Sequence, residues 1–114
     1  MDVFSSLLHQ LITDLPGALR AVFVDWEGEA VGQTGDDPDA ARLMGAHWGV
    51  VHGLAKKNMA VPVEGLVLSF EDRHVVVKPV ADGYLVVCET SRRTSPGQAL
   101  WACARTATLI REEM

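Results

Sequence analysis

The sequence has too few cysteines, too little positive charge and too short apolar runs for several classes of protein. Its two cysteines, Cys88 and Cys103, cannot build the disulfide framework of a small secreted domain. Both stand inside apolar runs, where a cysteine acts as a small buried hydrophobe in a reducing compartment, and this reading is preferred over a bridge between them. Lys and Arg total 10 against 15 Asp and Glu, a net charge of −5. A nucleic-acid surface needs a local excess of basic residues, whereas here only Lys56-Lys57 and Arg92-Arg93 are adjacent and neither pair makes a stripe. No nucleic-acid partner is expected. No segment nears the ~20 consecutive apolar residues of a membrane span. Met1-Asp2-Val3 has no positive region ahead of an apolar run, as a signal peptide would. The expectation is a cytoplasmic protein with no membrane span.

What is present is a globular pattern. The chain has 114 residues, 48% hydrophobic and 22% charged, enough for one domain over 1–114 with a single real core. Val3, Phe4, Leu7, Leu8, Leu11, Ile12 and Leu15 recur at three- and four-residue spacing and predict a helix over 3–15, ended by Pro16-Gly17. Residues 19–26 read as a strand, and Glu27-Gly28 turns into a second strand from Glu29 to Gln33. Asp37 as cap, Pro38 at the first helical position and Asp36 and Asp39 beside the positive end of the dipole announce a helix over 38–57. Lys56-Lys57 fill its last turn and Asn58 closes it. Three strands follow at 63–70, 74–80 and 84–90, the last two joined by the hairpin pair Asp82-Gly83. Ser95, Pro96 and Gln98 open a final helix with Leu100, Cys103, Ala107 and Ile110 on one face.

The order is αββαβββα. Hairpin-length connections make the strands mostly antiparallel. Residues 75–77 and 84–88 are apolar without alternation, so those strands are buried on both faces and need helices on both sides. The expected fold is α/β in the α+β sense: a five-stranded sheet in a three-layer α/β/α sandwich.

The chemistry of an enzyme is missing. No GxxxxGK loop with a following Ser or Thr cradles phosphate, and no GxGxxG opens a helix after a strand. His47 and His52 lie five apart and point about 140° apart on a helix, whereas a chelating pair needs four-residue spacing. His9 and His74 stand alone, and all four histidines read as packed or solvated. Ser95 is taken as a cap, and Cys88 sits mid-strand in apolar surroundings that raise a thiol's pKa. Asp25 and Glu27 flank a hairpin and read as solvated. Arg92-Arg93 read as a solvated loop pair. The expectation is no catalytic residue, no metal and no cofactor, in a protein that works by binding other proteins.

The middle helix carries most of the information. Ala40, Leu43, Met44, Trp48, Val50, Val51, Leu54 and Ala55 cover about half of its circumference at 100° per residue, more than one sheet-packing stripe needs. Gly45, Gly49 and Gly53 stand four apart on the other half. Each mid-helix glycine costs about 1 kcal/mol relative to alanine. A side-chain-free track facing away from the core would admit another backbone, so Gly45, Gly49 and Gly53, with Arg42 and Lys56, are expected to dock a partner. Leu43, Ala46, His47, Val50, Val51 and Leu54, with Leu66 and Leu68 from a poorly guarded edge strand, are expected at a dimer interface.

These residues resemble a known family. LxxLxxxLPGA at Leu8–Ala18 and AVFVDWEGEAV at Ala21–Val31 resemble the roadblock family of dynein light chains and bacterial GTPase regulators. GAHWG at Gly45–Gly49 and VVVKPVADGYLVV at Val75–Val87 look like its bacterial branch, which includes a gliding-motility GTPase regulator. The resemblance covers nearly the whole chain. It implies a homodimer with antiparallel middle helices and third strands paired into a ten-stranded sheet. It also implies a Ras-like small GTPase partner, activated chiefly by repositioning the GTPase's own catalytic residues, in polarity, motility or signalling. Two other readings are a structural dimerisation subunit of a larger scaffold without GTPase contact, and a small-molecule sensor. The sensor ranks last because the candidate pocket lining is uniformly apolar.

Overall fold

The computed structural model describes residues 2–35, 37–58 and 64–114. The order of elements is the expected one: α1 (Val3–Asp14), β1 (Ala18–Val24), β2 (Ala30–Gly35), α2 (Pro38–Asn58), β3 (Leu66–Ser69), β4 (Arg73–Ala81), β5 (Tyr84–Ser91) and α3 (Pro96–Glu113). Local chemistry fixes the boundaries. Asp2 caps α1 by accepting the Ser5 backbone N–H at 2.8 Å. Asp37 caps α2 by accepting the N–H groups of Asp39 and Ala40, each at 3.1 Å. Ser95 accepts the Gln98 N–H at 3.4 Å ahead of Pro96. Each cap satisfies a helix N–H that has no partner within the helix. Asp82 and Gly83 both have positive φ, the geometry of a type I′ turn, whose twist matches the strands it joins. Asp36 and residue 63 lie outside the described residues.

Several element boundaries shift by a few residues from the sequence reading, most clearly at the first hairpin. The first strand stops at Val24 rather than residue 26. Asp25 Oδ1 accepts the N–H groups of Glu27 at 2.8 Å and Glu29 at 3.0 Å, which bends the chain away and moves the second strand's start to Ala30. In the described residues, β3 begins at Leu66, and the Phe70 N–H donates to the Arg73 carbonyl at 2.8 Å to close its hairpin with β4.

The sheet order is β2-β1-β5-β4-β3, and every neighbouring pair is antiparallel. The chain reaches the β2 edge, crosses one face as α2 and returns at the opposite edge as β3. Both faces are covered, as the unalternating strands require. Ala21, Phe23, Val76, Val86 and Cys88 pack under α1 and α3 with Leu8, Leu11, Ala99, Cys103 and Ile110. Val22, Val24, Val75, Val77, Leu85 and Val87 face α2 through Ala41 and Met44. The result is a three-layer sandwich around a five-stranded sheet. Cys88 and Cys103 are free and buried. A hydrogen bond between the two thiols and burial push the Cys88 thiol well above its ordinary pKa, which keeps it in the unreactive protonated form.

Candidate protein-interaction surface

The face of α2 that meets the sheet carries Ala41, Met44 and Gly45, with Trp48 partly buried beside them. Ala41 is fully buried, and a Cβ placed on Gly45 would lie 2.6 Å from Val24 Cγ1 and 2.9 Å from Val22 Cγ1. The sheet supplies branched side chains and the helix supplies none, so the helix axis can settle close to β1. For Gly45 this corrects the expectation that the three glycines face away from the core. Gly45 is buried against the sheet and is not open to a partner's backbone. The sequence wheel set Gly45 away from the core, whereas the close approach of α2 to the β1 valines needs a residue without a side chain there.

Leu43, Val50 and Leu54 face out. Positions 43, 46, 50 and 54 lie within about 80° of one another at 100° per residue, on the side opposite Ala41 and Gly45. Leu43 is 72% exposed, Val50 64% and Leu54 55%, with Ala46 and His47 also exposed and Val51 half-buried at the margin. A helix turned polar side out would carry charge here. Leu66 and Leu68, half-buried, lie on the edge strand β3 opposite Val77 and Val75, on the same face of the sheet as α2. Trp48 spans towards them, its ring 5.6 Å from that of Phe70. The eight residues expected at an interface therefore share one side of the molecule.

The residues expected to dock a partner separate. Arg42 is exposed and paired with Asp39 one turn back. Lys56 belongs to α2, but its side chain lies outside the described residues. Gly49 and Gly53 sit where Gly45 does not: a Cβ at Gly49 would reach only Leu85 Cδ1 at 3.9 Å, and one at Gly53 nothing within 4 Å. Both line a cavity of about 330 Å³, whose other walls include Trp26, Glu27, Gly28, His52, Gly83 and Leu85. The sequence reading missed this cavity. Asp25, read as merely solvated, is the residue that organises its rim. A tryptophan inside an acidic turn, DWEGE, was the available signal.

The charged groups elsewhere on this face are structural. Glu89 bridges Arg20 at 2.9 Å and Arg73 at 3.5 Å, and the Arg73 guanidinium lies 4.7 Å from the centroid of Phe70. On the opposite face His74 is buried, hydrogen-bonded to Ser69 Oγ at 2.8 Å and near the Arg92 carbonyl at 3.2 Å. Among the described residues, no three His, Cys, Asp or Glu side chains gather where they could hold a metal ion, and no helix is long and apolar enough to cross a membrane.

No protein-family model matches the chain, and no curated protein matches it. Solved structures do match. A Roadblock/LC7 domain from Streptomyces avermitilis superposes with a TM-score of 0.87 at 19% identity, over 96% of this chain and 95% of that one. MglB from Myxococcus xanthus gives 0.78 at 16% identity, over 96% and 93%. The gliding protein MglB from Thermus thermophilus gives 0.75 at 15% identity, over 98% and 91%. The chain has the roadblock fold.

Proposed function

We propose that this chain is a non-enzymatic, homodimeric adaptor or regulator that binds a Ras-like small GTPase in a cytoplasmic polarity, motility or signalling system. The observation that carries the reading is the outward apolar face of α2. Leu43, Val50 and Leu54 are each more than half exposed on a helix whose inner face is already packed. Contiguous exposed apolar surface of this kind marks an association site. The edge strand β3 supports the same reading, because Leu66 to Ser69 pairs with β4 on one side and among the described residues has no neighbour on the other. A second copy would cover both surfaces at once, giving the isologous contact usual for homodimers. The GTPase partner rests on the resemblance of the sequence and on the shared fold. The test has two parts. Sedimentation equilibrium at micromolar concentration should return twice the 12.4 kDa chain mass. The purified chain should then bind a Ras-like GTPase from its own cell in a nucleotide-dependent way while hydrolysing no GTP alone. A monomer, or a dimer indifferent to every such GTPase, overturns the corresponding half.

A further inference from the structure

The cavity beside α2 has an acidic mouth and an aromatic wall that neither dimerisation nor the helix's apolar face employs. We infer that it receives the guanidinium of an arginine side chain presented by a partner protein. Four observations converge. First, the two turns at this end of the sheet carry Asp25, Glu27, Glu29 and Asp82 and no lysine or arginine of their own, on a chain with a net charge of −5. Second, Asp25 is fixed in orientation by the two backbone N–H groups its Oδ1 accepts, while exposed Glu27 beside it can swing onto a guest. Third, Trp26 is 66% exposed yet held from behind. Tyr84 meets its ring edge-on at 5.9 Å, and Gly83 lies so close that a Cβ there would come 2.9 Å from Trp26 Cβ. A tryptophan face is the best side-chain surface for a cation, and a planar guanidinium stacks on it while bonding carboxylates.

Fourth, the interior suits the aliphatic stem of such a guest. Gly49 and Gly53 contribute no side chain, Val50 and Leu85 are apolar, and His52 completes the lining. The volume of about 330 Å³ accommodates one long side chain rather than a helix or strand. Ala46 and Val50 belong both to this cavity and to the outward face of α2. A bound arginine would therefore sit at the margin of the association surface, where a partner's docking loop can reach it. The inference does not depend on that partner being a GTPase or on the chain being a dimer.

The probe is N-acetyl-arginine amide, with its neutral isostere N-acetyl-citrulline amide as control, titrated into the full chain and followed by amide and indole NMR shifts. Saturable shifts at the Trp26 indole N–H and the Gly49 and Gly53 amides are expected for arginine in the millimolar range. Citrulline should bind at least tenfold more weakly. Glu27→Lys, a substitution in an exposed turn that leaves the fold intact, should abolish the arginine shifts, and Trp26→Leu should weaken them severalfold. Equal responses to arginine and citrulline would overturn the inference, as would no saturable shift at these groups, or arginine binding unchanged in Glu27→Lys. The same samples run in sedimentation report dimerisation separately, so the two readings fail independently.

Discussion

Gly45→Ala should destabilise this protein even though alanine is the better helix former. In an open helix position the exchange stabilises by about 1 kcal/mol, because glycine has more backbone freedom to lose. At Gly45 the new methyl would stand 2.6 Å from Val24 Cγ1 and 2.9 Å from Val22 Cγ1, and both valines are fully buried in β1. Valine has one strongly preferred χ1 well in most settings, and β1 is flanked by strands on both sides, so neither methyl can swing clear. Overpacking of this kind costs about 1–3 kcal/mol, and two simultaneous clashes argue for the upper half of that range. Subtracting the helix gain leaves a net loss of about 1–2 kcal/mol, or roughly 4–8 °C in Tm for a chain of this size. Gly53 is the internal control. Nothing lies within 4 Å of a Cβ there, so Gly53→Ala should gain up to ~1 kcal/mol. Thermal unfolding followed by far-ultraviolet circular dichroism, at one fixed protein concentration because dimerisation shifts Tm, measures both. Shifts of the same sign for the two variants, or a Gly45→Ala protein as stable as the parent, would refute the placement of α2 on the sheet.

Three further outcomes follow from the same geometry. Val50→Glu places a charge on a residue 64% exposed in the single chain, so it should leave monomer secondary structure unchanged and shift sedimentation from dimer to monomer. Glu89→Gln removes the carboxylate shared by Arg20 and Arg73; with Arg20 mostly buried, urea unfolding should show a loss of about 1–3 kcal/mol. Asp2 is held below its ordinary pKa of 3.8, chiefly by the Ser5 backbone N–H. Its contribution to α1 is therefore complete above that pH and lost as pH falls through the lowered folded value. Stability measured from pH 5 down to pH 2 should fall more steeply for the parent than for Asp2→Asn, whose cap does not titrate.

What the sequence disclosed depended on the range of the interaction involved. Caps and turns are local, so Asp37-Pro38, Asp82-Gly83 and Ser95-Pro96 marked their elements to within a residue or two. Burial on both faces was also legible, because Val75 to Val77 and Leu85 to Cys88 leave no polar side for water. Strand order was not. The pairing of β1 with β5 brings Arg20 against Glu89, and nothing in either segment names a partner so distant in the chain. The orientation of α2 was misjudged for a related reason. A helical wheel ranks residues by hydrophobicity, whereas the β1 valines below Gly45 leave no room for a side chain there. Leu43, Val50 and Leu54, named from the excess of apolar surface, stand exposed all the same. The cavity did not, because it forms only when the 25–29 turn, the 82–83 turn and α2 are brought together.

The two faces of α2 bear directly on the proposed association surface. A helix that merely covered a sheet would turn Leu43, Val50 and Leu54 inward and leave small or charged residues outside. Here Ala41, Met44 and Gly45 take the inner positions while Leu43, Val50 and Leu54 stand in water. Fully burying one such side chain is worth about 1.5–3 kcal/mol. Weighted by exposures of 72, 64 and 55%, the three leave roughly 3–6 kcal/mol of burial free energy ungathered by the isolated chain, a large share of a domain's net stability. At 72 and 64% exposure, Leu43 and Val50 contribute little to the monomer's own packing. The proposed partner surface would lie flat along α2 and continue past Trp48 and Phe70 to the open edge at Leu66 and Leu68. A second copy presents such a surface by symmetry. Replacing Leu43, Val50 and Leu54 together by lysine should then give a soluble monomer whose unfolding no longer depends on protein concentration. A triple variant that still sediments as a dimer would locate the contact on another face of the molecule.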